Sequence, residues 1–143
     1  MGLFSTHADD FRKEDKRIHS ELKKQEDRIT LMINDINSKM EILERIGLPT
    51  NNNSHKLKEV EGALYTLLNI FFNLKGSYPR NDIYTDVHDR VNMLLKLSRN
   101  HAFGDNNPYN TQLGYLKQKI HEVIPILVKD KKTFENADES LPN

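Results

Sequence analysis

The first third of the chain is free of helix-breaking residues. From Asp9 to Ile46 there is neither glycine nor proline, and apolar residues recur with helical spacing. Such spacing places their side chains on one face of an α-helix. At about 1.5 Å per residue, a helix of this length would span roughly 60 Å, about twice the width of a small domain. The segment is therefore predicted to meet another chain or a second part of its own chain.

Three clusters of helix breakers divide the remainder of the chain. These clusters cover residues 47–54, 76–81 and 104–108 and contain glycine, proline and asparagine. The segments between them carry apolar residues with a period near 3.6, and none shows a convincing strand alternation. The sequence predicts an all-α protein. In it a long N-terminal helix, partly coiled-coil-like, packs with a three-helix segment that completes a small helical bundle.

The long first segment changes character near Arg28. Up to this point acidic and basic residues alternate around a narrow apolar seam, whereas from Ile29 onward the apolar stripe is wider and suits a bundle. We therefore expect a projecting charged helical arm at 1–28, a helical bundle at 29–128 and a polar, flexible C-terminal tail at 129–143. Pro125 lacks a backbone donor and is expected to kink the last helix or to end it near Ile124.

The narrow seam of the arm is typical of helix-to-helix contacts. Its candidate interface residues are Phe11, Ile18, Leu22, Ile29, Met32 and Ile36. Gln25 and Lys39 fall on core positions of the same heptads, where polar residues weaken a dimer but help to fix its register. Two interpretations remain open: the arm associates with another copy or a helical partner, or it packs as a hairpin against its own chain.

Composition narrows the range of partners and compartments. Lys and Arg total 21 and Asp and Glu total 21, so the chain has no net field that would attract nucleic acid or anionic lipid. The absence of cysteine excludes disulfides and thiolate metal sites. No stretch approaches the about 20 apolar residues of a membrane helix. We expect a cytoplasmic protein, and the abundance of Asn, Lys and Ile suggests a phage or bacterial accessory protein.

No catalytic, cofactor or metal signature stands out. Asp15 and His19 share a helix face, but one pair supplies two ligands where a zinc site needs three or four. Asp82, Asp86 and Asp89 share a face at the start of the third segment, where carboxylates are favourable against the helix dipole without any ion. We therefore expect a non-catalytic protein with no cofactor, no metal and no small-molecule substrate.

A basic segment near the C-terminus points to an alternative function. Its lysines are Lys117, Lys119, Lys129, Lys131 and Lys132. A basic stripe near aromatic residues, here Tyr109 and Tyr115, can follow a phosphate backbone, although Glu122 and Asp130 interrupt this one. The sequence thus predicts first an assembly or adaptor protein that associates with itself or a helical protein, and second a nucleic-acid-associated regulator.

Overall fold

The chain folds into four α-helices. The computed structural model describes residues 2–47, 54–99 and 108–141, with side chains from residue 13 onward. The helices are α1 (Gly2–Ile46), α2 (Ser54–Ser77), α3 (Asp82–Arg99) and α4 (Pro108–Glu139). The described residues contain no β-strand. The long N-terminal helix and the three further helices form a small bundle, so the predicted all-α fold is confirmed.

Local sequence signals set several of the helix ends. Gly47 closes α1 with a φ of 65°, a backbone conformation that glycine adopts without strain. Its N–H donates to the carbonyl of Leu43 at 3.0 Å, as in an ordinary glycine cap. The carbonyl of Asn81 accepts from the N–H of Tyr84 at 3.1 Å and opens α3. Pro108 begins α4, where its missing N–H removes no helical hydrogen bond.

The last helix runs through Pro125. Of the two outcomes expected at Pro125, a kink or an end near Ile124, the second is wrong, because α4 continues to Glu139. Residues 129–139, which the sequence predicted to be part of a tail, are therefore helical.

The surroundings of Pro125 explain why the helix tolerates it. The ring removes one N–H and leaves the carbonyl of His121 without its helical donor. Pro125 and His121 are both exposed, so water can satisfy that carbonyl. Val123 and Leu127, on either side of the proline, are buried. Packing of these neighbours supports the helical conformation where local propensity opposes it.

The chain divides into two compact units. Unit 1 consists of the described parts of Met1–Ile33 and Pro125–Asn143, and unit 2 is Asn34–Ile124. The predicted arm, residues 1–28, falls within the first of these ranges. The segment predicted to be a tail belongs to the same unit as that arm.

Unit 2 combines the end of α1, the whole of α2 and α3, and the first part of α4 around one apolar core. Its buried apolar side chains are Ile36, Met40, Leu43, Val60, Ala63, Leu64, Leu67, Phe71, Leu74, Tyr84, Val87, Val91, Leu94, Leu95, Tyr109, Leu116, Ile120 and Val123. The rings of Phe71 and Tyr84 lie with their centres 6.4 Å apart and join α2 to α3. At the surface, Nζ of Lys117 on α4 lies 3.2 Å from a carboxylate oxygen of Glu44 on α1.

Candidate interaction surfaces

The residues predicted to form the arm interface differ widely in exposure. Three of them are half-buried, namely Ile18, Leu22 and Met32. Ile29 is only 6 % exposed and Ile36 is completely covered. The side chain of Phe11 lies outside the described residues. The chain itself therefore covers Ile29 and Ile36, while the three half-buried residues keep some surface for a partner.

In unit 1 the first part of α1 contacts the last part of α4. Nδ1 of His19 lies 2.5 Å from Oδ1 of Asp138, an ion pair when the imidazole is protonated. Further along α1, the carboxyl group of Glu26 lies close enough to that of Glu135 for their interaction to raise the pKa of Glu26. Since the later residue of α1 meets the earlier residue of α4, the two helical stretches run antiparallel. Within unit 1 the arm thus packs against its own chain.

The contact between Glu26 and Glu135 brings two acidic groups together. Desolvation raises the pKa of Glu26, and the hydrogen bond with Glu135 raises it further. The positive charges of Lys23 and Lys131 lower it and so oppose the shift. A protonated carboxyl group donates a hydrogen bond to a carboxylate, whereas two carboxylates repel each other. The contact is consequently more favourable when the pair holds a proton.

Replacing Glu26 with glutamine is expected to stabilise unit 1 at neutral pH, because the amide donates to Glu135 without needing a proton. The folded-state pKa of Glu26 lies above the ordinary value of 4.5, so the stabilisation by the shared proton is present below that pH. It is lost as the pH rises through the folded-state pKa. The melting temperature of Glu26→Gln should exceed that of the wild type at neutral pH, and the difference should vanish in acid.

Circular dichroism melting curves at neutral and acidic pH measure this effect. Glu41→Gln, at an exposed position of the same helix, is the matched control and should show no such pH-dependent difference. Equal melting temperatures of Glu26→Gln and the wild type at neutral pH would show that the two carboxyl groups do not meet in solution.

The basic segment of α4 is largely neutralised by acidic neighbours. Nζ of Lys117 pairs with Glu44 at 3.2 Å, and Nζ of Lys119 lies 3.5 Å from Asp86. Lys131 pairs with a glutamate of its own helix at 3.8 Å. Two lysines of the segment have no carboxylate partner in the described part of the chain, Lys129 and Lys132. This pairing leaves little positive charge for a phosphate backbone, and so it does not favour the nucleic-acid alternative.

A second surface, on α2 and α3, carries exposed aromatic rings beside cations. We call it the α2–α3 surface and define it by Tyr65, Phe72 and Lys75 of α2 and His88, Lys96 and Arg99 of α3. Tyr65 is 39 % exposed and Phe72 is 60 % exposed. The guanidinium carbon of Arg99 lies 5.2 Å from the centre of the Tyr65 ring, and Nζ of Lys75 lies 5.5 Å from that of Phe72. These distances are those of cation–π contacts.

No family model, curated protein or solved structure matches this chain. Within the described residues, no group of three or more His, Asp or Glu side chains is placed to hold a metal ion. Asp86, one of the three aspartates that share a face of α3, instead contacts Arg90 at 3.1 Å and Lys119 at 3.5 Å. None of the helices, over their described residues, is long and apolar enough to cross a membrane.

The sequence did not identify which residues form the α2–α3 surface. The apolar residues of α2 lie almost all round the helix, so periodicity alone does not separate its inner face from its outer face. One signal was available: Tyr65, Asn69 and Phe72 follow the i, i+4, i+7 spacing and include two polar or amphipathic side chains. They lie on the opposite side of the helix from Leu67 and Leu74, which are buried.

Proposed function

We propose that this protein is a non-catalytic assembly or adaptor protein that acts through helix-to-helix contacts and associates with copies of itself. The observation that supports it is the incomplete burial of Ile18 and Leu22 in unit 1. Two helices that pack side by side cover their shared apolar seam from one direction only. Apolar surface therefore remains along the open side of the pair, where a further helix can cover it.

The part of α4 in unit 1 also carries apolar side chains that are incompletely buried. Phe134 of α4 is half-buried, and Val128 is 39 % exposed. Two copies of unit 1, placed with their open sides together, would cover both seams in a four-helix arrangement. The same surface would then serve on each copy, as a two-fold symmetric interface requires.

Replacing both Ile18 and Leu22 with aspartate is expected to abolish this association. Two carboxylates on the seam would have to be buried between copies without partners, which is strongly unfavourable. Size-exclusion chromatography with light scattering should show an oligomer for the wild-type chain. The double variant should have the mass of one chain, 16.7 kDa.

The matched control is Leu31→Asp on the same helix. Leu31 is 69 % exposed and lies on the opposite side of α1 from the seam, so this variant should keep the wild-type mass. Circular dichroism of each variant reports whether the chain keeps its helical content. A wild-type chain that is monomeric at every concentration, or a double variant with unchanged oligomeric mass, would refute self-association through unit 1.

A further inference from the structure

The two exposed rings of the α2–α3 surface lie along one side of α2. Tyr65 and Phe72 are seven residues apart, which is two helical turns or about 10 Å. Next to Phe72 in the sequence, Phe71 is completely buried and forms part of the core of unit 2. Single exposed apolar residues are common on protein surfaces. Here, however, two aromatic side chains follow the same helix face, as anchors for an elongated partner would.

Three cations of this surface lack acidic partners. Lys75, Lys96 and Arg99 have no carboxylate within ion-pair distance among the described residues, although eleven ion pairs occur elsewhere in the described part of the chain. On the neighbouring α3–α4 face, by contrast, Lys119 contacts Asp86. The α2–α3 surface therefore presents positive charge that the chain itself leaves unneutralised.

Acidic residues also occur along the described lengths of these two helices, but none pairs with Lys75, Lys96 or Arg99. Asp89 is 3.5 Å from the imidazole of His88, and Glu61 is one turn before Tyr65 on α2. Lys75 and Arg99 lie toward opposite ends of the surface, since Lys75 contacts Phe72 and Arg99 contacts Tyr65.

The shape of this surface suits a helix. Phe71 lies near Tyr84 and Tyr65 lies near Arg99, so α2 and α3 run antiparallel, side by side. A third helix can lie along such a pair and contact it with apolar residues from successive turns. We propose that the α2–α3 surface binds an acidic amphipathic helix of a partner protein. Its apolar residues would contact Tyr65 and Phe72, and its carboxylates would pair with Lys75, Lys96 and Arg99.

The same observations favour a protein over single-stranded nucleic acid. Bases bind to proteins largely by stacking on the faces of aromatic rings. On this surface a cation already lies over each ring, Arg99 over Tyr65 and Lys75 over Phe72. A carboxylate can pair with these cations where they stand, whereas a stacked base would have to displace them. The proposal does not depend on self-association, which involves unit 1.

Selection from a displayed library of random peptides of about 16 residues, long enough for four helical turns, tests the proposal. The bait is the full-length chain, and peptides that also bind Tyr65→Ser/Phe72→Ser are removed. We expect the enriched peptides to be acidic and to carry apolar residues at i, i+4 and i+7. Their affinity for Phe72→Ser and for Arg99→Glu should be weaker than for the wild type by about tenfold or more, as for interface anchors.

Tyr115→Ser is the matched control. Tyr115 is 46 % exposed and has Arg90 at 5.6 Å from its ring, so it resembles Tyr65, but it lies on α4. Peptide affinity should be unchanged in this variant. Exchanging glutamate for lysine in an enriched peptide should abolish its binding to the wild type and restore binding to Lys96→Glu/Arg99→Glu.

Three results would overturn the proposal. The first is that basic or uncharged peptides are enriched, and the second is that the selection enriches no peptide. The third is binding of a fluorescent oligo(dT) strand that is lost in Phe72→Ser and Arg99→Glu, because this would assign the surface to nucleic acid. Fluorescence anisotropy with the peptide and with oligo(dT), each at about 50 and 200 mM salt, separates these outcomes, since phosphate binding weakens steeply with salt.

Discussion

Replacing Phe71 with alanine is expected to lower the free energy of unfolding by about 3–5 kcal/mol. Phe71 is completely buried, and its ring packs against that of Tyr84 between α2 and α3. Truncation removes the transfer free energy of the ring and leaves a cavity. The neighbouring helices cannot fully close this cavity because their other packing contacts hold them in place. Since domains of this size are stable by about 5–15 kcal/mol, the loss would be a large part of the total.

Phe72→Ala is the matched control for Phe71→Ala. The two phenylalanines are adjacent on α2, but Phe72 is 60 % exposed. Its truncation should change stability by about 0.5 kcal/mol or less, as is usual for surface positions. Denaturant unfolding followed by circular dichroism measures both variants. Equal losses for the two, or a larger loss for Phe72→Ala, would mean that α2 is rotated relative to the core described above.

The difference between these neighbours shows what the amino-acid pattern could not predict. Helix boundaries depend on local chemistry, and so the clusters of helix breakers at 47–54, 76–81 and 104–108 separate the four helices already in the sequence. Which side of a nearly all-apolar helix faces inward depends on the helices around it. The α2–α3 surface therefore appeared only once α3 was placed beside α2.

The C-terminal part of α4 illustrates the same limit. A proline inside a helix raises the free energy of the helical conformation, and Pro125 has this cost too. The cost is tolerable here because Pro125 is exposed and the side chains of Val123 and Leu127 are buried, and these conditions arise only in the folded chain. With the helix continued, Glu135 and Asp138 reach the arm, and a segment that looked like a tail becomes its partner.

For the seam of α1, periodicity identified an apolar face but not what covers it. The half-buried Ile18 and the fully buried Ile36 both occupy core positions of the heptad pattern. Ile36 belongs to unit 2, where residues of four helices surround one core, and Ile18 belongs to unit 1, where only two helical stretches meet. The number of neighbouring helices decides which of the two keeps surface for another molecule.

This distinction leads to a direct test at Ile36. Ile36→Ala should lower the free energy of unfolding by about 2–5 kcal/mol, because it opens a cavity in the core of unit 2. It should not change the oligomeric mass under conditions in which unit 2 stays folded, since a fully covered side chain offers nothing to a second copy. Denaturant unfolding and light scattering measure the two effects on the same samples.

Leu31→Ala changes a position on α1 that is 69 % exposed. It should leave the free energy of unfolding and the oligomeric mass at their wild-type values. The opposite result for Ile36→Ala, unchanged stability with loss of the oligomer, would place Ile36 in an interface between chains. The seam would then be open along its whole length in solution, and α1 would associate with another copy through residues that the single chain here encloses. Loss of stability without loss of mass would instead confine the association surface to the part of α1 that lies in unit 1.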